Sequence, residues 1–479
     1  MMDTASITFV VFGLLVAGLL SFNRSPTWRT AVLLSSSLLF IAVQVSTVSA
    51  IVPLAGFVLL GYLGLLVIAA GSVTLRPYCI GIVVLAYLWL KKYTFLPESS
   101  FLQTPYFTLG LSYIFFRVLH LLIEQQTEDA GIRIGVVPYL TYLLNFTTFV
   151  SGPIQRYDEF ARDQFAPPPI ELTGASVGRQ LERIVLGFFK VNVLALLFDM
   201  IHSDSLVQLS QPLPLLAKEF AAFRLVLSYP FFLYNNFSGY IDIVIGLACL
   251  LRIRLPENFD RPFSATSFLE FWNRWHITLS TWLKMYVYNS LLLTLARRTS
   301  SAAGQQYIGV FCFFVTFFLV GVWHGRTSEF VVFGILQGGG VAINKLWQIS
   351  LARRLGRKEY KALAARPLYV MFARGLTFTW FAFTLTWFWG DWAQIRTAAA
   401  VLAPVGWLLV GLSVWISVAV TLATWERVRS ALVAATRSLD STLLGHCLRI
   451  AGATALLMCA LALNVVLDQP APDIVYKAF

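Results

Sequence analysis

FCFFVTFFLVGVWHGRTSEFVVFGILQGGG runs from Phe311 to Gly340. About a dozen almost wholly apolar residues lead up to His324, which stands between Trp323 and Gly325. Arg326 and Glu329 are the only charges before Lys345. A helix needs about 20 apolar residues to cross a bilayer, and this stretch reads as the end of one such span, a polar break, and the start of another.

The same texture recurs along the chain. Its 479 residues are 58% hydrophobic and 13% charged, with a mean hydropathy of +0.72. Soluble domains are roughly 25% charged. Candidate spans fall at 7–22, 30–50, 51–72, 78–91, 106–123, 183–202, 219–235, 237–252, 306–323, 328–349, 367–390, 398–424 and 449–467. The expected fold is all-α, a polytopic helical bundle of about eleven to thirteen crossings with re-entrant or interfacial helices. One membrane domain over 1–479 accounts for the chain, and no stretch is long and polar enough for a soluble domain. No internal repeat is evident, which disfavours inverted-repeat transporter folds.

The net charge of +12 does not point to nucleic acid. The basic residues sit in connectors, at Lys91–Lys92, Arg252–Arg254, Arg297–Arg298 and from Arg353 to Arg366, as the positive-inside bias dictates. Residues Met1 to Phe22 have the length of a signal peptide. They lack a basic start and carry Asp3, so an uncleaved first span is expected. The five cysteines have no metal-ligand spacing and read as small core residues.

Two regions break the apolar pattern. In FVSGPIQRYDEF (Phe149–Phe160), Gly152–Pro153 cannot continue an ordinary helix, and Arg156, Asp158 and Glu159 follow at once. The stretch is either a broken, re-entrant segment or a span ending in a polar loop. The second region is EFWNRWHITLSTWLK (Glu270–Lys284), preceded by Pro256 and Pro262. Ser267-Phe268-Leu269-Glu270 has the form of a capping box and predicts a helix starting at Ser267. On a helical wheel Phe271, Trp272, Trp275, Leu279, Trp282 and Leu283 share one arc. Asn273, Arg274, Thr278, Ser280, Thr281 and Lys284 take the other side, with Ile277 out of place and His276 on the border. The helix lies in the interface or is packed sideways in the bundle. His276 is then a functional group or one more interfacial residue among tryptophan and arginine anchors.

His324 carries the stronger signal. An ionisable group at membrane depth is costly and marks a functional site by default. The competing reading is a histidine at a span mouth, bonded to a nearby carbonyl. His120 reads as a packed helix residue, and His202 and His446 as interfacial ones. There is no HExxH, Walker loop, Rossmann glycine pattern or G-x-S-x-G elbow. His276 and His324 have no evident third ligand, so no metal is expected. A histidine without a nucleophilic neighbour suits general-base chemistry on a substrate hydroxyl, which then attacks an activated ester.

With both histidines placed, the sequence resembles the membrane-bound O-acyltransferase family, in the bacterial branch that carries alginate O-acetylation and teichoic-acid D-alanylation proteins. GLSYIFFRVLHLLIE (Gly110–Glu124), FVSGPIQRYDEF, FSGYIDIVIGLACLLRIRLPENFDRPF (Phe237–Phe263), EFWNRWHITLSTWLK and GVWHG (Gly321–Gly325) carry the resemblance over about 110–350. Residues 351–479 match only in being hydrophobic. GLSYIFFR and EFWNRWH lean toward the D-alanylation member.

The resemblance implies a central tunnel or funnel, with His324 as the catalytic base and His276 as a second functional histidine along it. It also implies a bacterial inner membrane, a cytoplasmic thioester donor, either acyl-carrier-protein phosphopantetheine or acyl-CoA, and an extracytoplasmic partner protein. A D-alanyl or acetyl group would pass to a hydroxyl of an outer polymer or carrier, with no bound cofactor. Asn273, Arg274, Trp275, Ser280, Trp282 and Trp323 are candidate substrate contacts, His276, Ser280 and Asn273 sharing a broad helical face. Arg156 and Asp242 are candidate supporting groups or plain ion-pair partners. The sequence departs from the family pattern at Lys284–Met285, Ser328 and Gln337–Gly338. A transporter or flippase and a non-catalytic scaffold for a partner acyltransferase are the competing functions.

Overall fold

A computed structural model describes residues 6–71, 73–125, 134–167, 169–298, 301–436, 442–467 and 472–475. Among these, secondary structure is helical, with one isolated bridge between Phe259 and Trp275. Eight helices are long and apolar enough to cross a membrane, and Ile7–Phe22 and Arg76–Leu90 are shorter apolar helices. The chain is an all-α, multi-pass membrane protein. The count falls below eleven to thirteen because several expected spans are short or interrupted, such as Leu111–Glu124 and Val136–Leu144. The expected spans at 219–235 and 237–252 form one helix, Leu215–Leu250, with Pro230 inside it.

The chain forms two compact units. The first comprises Met1–Val193, Asn236–Glu257 and Ala453–Phe479. Its interior includes edge-to-face contacts of Phe9 with Phe40 and Phe146. The segment around Gly152–Pro153 is broken here. The helix Val136–Leu144 ends at Asn145, a four-residue turn Phe146–Phe149 follows, and helix resumes only at Tyr157–Phe165. Helix ends leave carbonyls without intrahelical donors, and in a membrane these must be satisfied within the protein. Buried Arg117 does this: its guanidinium donates to the carbonyls of Tyr142 (3.3 Å), Leu143 (2.7 Å) and Thr148.

The second unit comprises Leu194–Asn235 and Asn258–Gly452. Leu225, Phe378, Ala382, Leu402, Val410 and Val414 form a core. Beside it the helices Ala302–His324 and Ser328–Leu355 pack together. Gly321 permits the contact, since a Cβ there would stand 2.1 Å from the Gly334 Cα. Small residues that let backbones touch are the usual means of joining helices where lipid supplies no hydrophobic drive.

Some side chains depart from the sequence reading. His202, expected at the interface, is buried against Tyr229 and Trp389, with ring centres 5.0 and 4.8 Å away. His120 is packed as expected, its Nε2 accepting from the Tyr157 N–H at 3.1 Å. Of the cysteines Cys312 is buried, but Cys447 and Cys459 are exposed on a long apolar helix, where lipid can cover them.

Candidate active site

Ser267 starts the helix as predicted, its Oγ accepting from the Glu270 N–H at 3.2 Å. The reciprocal half of the capping box goes elsewhere. Glu270 Oε2 accepts from the N–H and hydroxyl of Thr266, both at 2.8 Å, and Oε1 from Arg274 at 2.8 and 3.1 Å. Burial opposes ionisation of this carboxyl, but the Thr266 and Arg274 donors hold its pKa below the usual range.

The helix does not run to Lys284. It stops at Trp272, and a second helix spans Ile277–Leu283. His276 stands at the junction with φ of +45°, a left-handed conformation rare for a side-chain-bearing residue. The wheel that put Asn273, His276 and Ser280 on one face therefore fails. Asn273 is exposed at the end of the first helix, His276 is fully buried, and the half-buried Ser280 hydroxyl lies 3.4 Å from the Trp275 carbonyl.

The break is held by a neighbouring segment. The backbone carbonyl of Asn258 accepts from the Ile277 N–H at 3.0 Å, and the Asp260 N–H donates to the Arg274 carbonyl at 3.0 Å. The Asn258 side-chain oxygen accepts from the Thr278 N–H at 3.0 Å and hydroxyl at 2.9 Å, and lies 3.3 Å from His276 Nδ1. Asn258 and His276 are both 0% exposed. His276 lies outside the helices long enough to cross the membrane, and burial pushes its imidazole pKa down to about 3. It is neutral at physiological pH.

His324 is the last residue of the helix Ala302–His324 and is 1% exposed. Its ring centre lies 4.7 Å from Trp323, 5.3 Å from Phe388 and 6.0 Å from Phe333. Gly325 is required by Phe330, whose ring carbon would stand 2.1 Å from a Cβ at that position. Trp323 also reaches His276, with ring centres 6.3 Å apart. Two buried imidazoles, 48 residues apart in the chain, thus share one indole. A neutral imidazole in an aromatic, water-poor setting can accept a proton from a hydroxyl and return it.

The other predicted residues fall in different places. Trp275 packs between Phe259 and Phe381, both 5.1 Å away, as part of the core. Trp282 is buried against Tyr286 at 4.9 Å. Arg274 is committed to Glu270. Arg156 and Asp242 belong to the first unit. Arg156 is half-exposed and pairs with Glu124 (3.1 Å) and Asp158 (3.0 Å). Asp242 pairs with Arg183 (2.9 Å) and Lys190 (2.7 Å).

Asn258, Phe333 and Phe388 escaped the sequence reading. Nothing in their spacing marks them: Asn258 and Phe388 lie 18 and 64 residues from the histidines they meet, and Phe333 lies on the following helix. Ser328 accepts from the Trp392 indole N–H at 2.8 Å, and buried Gln337 donates to Thr384 at 2.8 Å. Among the described residues no group of three His, Cys, Asp or Glu could hold a metal ion.

A polytopic helical membrane protein with two histidines buried in one aromatic cluster is the class this architecture defines. Residues 78–383 match the membrane-bound O-acyltransferase family, and the chain belongs to that family. It is 30% identical over 266 residues to the teichoic acid D-alanyltransferase of Streptococcus thermophilus, covering 54% of this chain and 61% of the relative. It is 26% identical over 227 residues to the Bacillus subtilis protein of that name, covering 47% and 56%. The probable alginate O-acetylase AlgI of Azotobacter vinelandii is 29% identical over 290 residues, covering 59% and 54%. The chain thus spans less than two thirds of the length of these relatives.

Proposed function

We propose that this protein is an O-acyltransferase of a bacterial inner membrane. It moves a small acyl group, D-alanyl or acetyl, from a thioester to a hydroxyl on an extracytoplasmic polymer or lipid-linked carrier. The two acyl groups are those in the names of its relatives. The donor is an acyl-carrier-protein phosphopantetheine or acyl-CoA on the cytoplasmic side, and a partner protein receives or presents the acceptor outside.

The observation that carries the reading is the pair of buried histidines that both meet the Trp323 ring. His324 Nε2 takes the proton of the acceptor hydroxyl as its oxygen attacks the thioester carbonyl. The tetrahedral intermediate collapses with cleavage of the C–S bond, and the imidazolium returns its proton to the departing thiolate. His276 orients one of the two reactants by accepting a hydrogen bond. Exclusion of water by Trp323, Phe333 and Phe388 keeps the thioester from hydrolysis.

The test is acyl-ester content of the surface polymer in cells carrying wild type or His324→Ala at matched membrane levels. General-base loss costs about 100- to 10,000-fold, so esters should fall to background. Unchanged esters would instead favour a transporter or a scaffold, and the acid released from wild type identifies the acyl group.

A further inference from the structure

We infer that Asn258 is the positioning residue of His276: its side-chain oxygen holds the imidazole with the proton on Nδ1, so that Nε2 carries the lone pair. The functional weight of this inference rests on the proposed acyl transfer, but the geometry stands without it.

The orientation of the Asn258 amide follows from its partner. A backbone N–H can only donate, so the atom that meets the Thr278 N–H at 3.0 Å is the oxygen and not the nitrogen. The Thr278 hydroxyl donates to the same oxygen at 2.9 Å. His276 Nδ1 is 3.3 Å from it. An unprotonated Nδ1 would point a lone pair at an oxygen lone pair. A protonated Nδ1 donates instead. Because both residues are fully buried, the low local dielectric enlarges the difference between the two tautomers.

The main chain fixes the ring's origin separately. The Asn258 carbonyl on Ile277, the bridge between Phe259 and Trp275 and the bond from Asp260 to the Arg274 carbonyl bracket His276. None of these contacts uses the Asn258 side chain, so replacing that side chain leaves the backbone clamp in place. An amide also differs from a carboxylate in a useful way. It selects the tautomer without adding a charge that would stabilise an imidazolium. His276 is thereby kept as a neutral acceptor at Nε2, suited to a hydroxyl or ammonium hydrogen on a reactant.

The experiment is nitrogen-15 spectroscopy of full-length protein labelled at its five histidines in lipid nanodiscs, with the His276 signals assigned by their loss in His276→Gln. Wild type should show His276 protonated on Nδ1 and bare on Nε2. Asn258→Ala should move the proton to Nε2 or to an exchanging mixture, and Asn258→Asp, which keeps the acceptor oxygen, should keep Nδ1 protonated while its charge favours a second proton on Nε2. A wild-type ring protonated on Nε2 overturns the proposal even if Asn258→Ala fails to fold, and so does a ring unchanged by a folded Asn258→Ala. Acyl transfer by the same samples separates this inference from the functional one. A drop of roughly tenfold or more in turnover that accompanies the switched tautomer in a folded Asn258→Ala supports both. A switched tautomer with unchanged transfer keeps Asn258 as the holder of the ring and removes His276 from the reaction.

Discussion

The imidazole of His276 and the indole of Trp323 lie 6.3 Å apart between ring centres at 62°, and His324 lies 4.7 Å from the same indole. Two elements distant in sequence are thus referenced to one ring. Trp323→Ala should cost about 3–5 kcal/mol of stability, the usual range for a buried aromatic, and abolish most acyl transfer. Trp323→Phe retains an aromatic wall and should keep most of both. Thermal unfolding in detergent together with polymer ester content checks this; equal loss in the two variants would contradict it.

Gly321 offers a sharper steric test. A methyl group there meets the Gly334 backbone at 2.1 Å, three residues from His324, whereas a Cβ at Gly339 meets nothing within 4 Å. Overpacking of this kind costs about 1–3 kcal/mol. Gly321→Ala should lower the unfolding temperature and displace His324 enough to depress turnover, while Gly339→Ala should match wild type.

Asp242 sits between Arg183 and Lys190, with 14% of its side chain exposed. Removing one member of a partly buried ionic group leaves charge less well compensated, at a cost of about 1–3 kcal/mol. Asp242→Asn should therefore reduce the amount of folded protein in the membrane without changing turnover per folded molecule. A large fall in turnover at normal protein level would give Asp242 a direct part in binding instead.

The depressed basicity of His276 has a definite sign. Its folded pKa of about 3 lies below the ordinary histidine value of roughly 6.5. Between these values the unfolded chain binds a proton that the folded chain refuses, so stability is full above about pH 6.5 and declines as the pH falls toward 3. His276→Gln cannot take up that proton. The difference in unfolding temperature between pH 7 and pH 5 should be smaller in His276→Gln than in wild type, and an equal difference would show that His276 is not the group responsible.

What the sequence made legible was local. The helix Ile7–Phe22 coincides with its expected span, Ser267 caps where the S-x-x-E pattern put it, and helix is interrupted around Gly152–Pro153. What stayed hidden depends on partners far along the chain. The two spans expected at 219–235 and 237–252 are one continuous helix, which accommodates the asparagines at their junction. Asn235 donates to the Phe231 carbonyl one turn back at 2.8 Å, and Asn236 bonds the backbone of Asp473 and Val475. His202 was misplaced because Tyr229 and Trp389 cover it. The site was half legible: apolar context singled out His324, but the single amphipathic helix around His276 was an error of periodicity. Helical spacing cannot reveal a left-handed residue whose flanking N–H groups are taken by Asn258.

That borrowed cap bears on the order in which the protein acquires its shape. The helical run that opens at Ile277 continues from Ile277–Leu283 through the π-helical turn Lys284–Tyr288 into Asn289–Ala296, and its costly step is the first turn, since nucleation fixes several residues before the first hydrogen bond repays it. Here the first two donors of that helix are satisfied by Asn258, some twenty positions earlier in the chain. The turn bearing His276 therefore forms in step with the docking of Asn258 rather than ahead of it. The conformation of the histidine thus depends on a contact made outside its own helix.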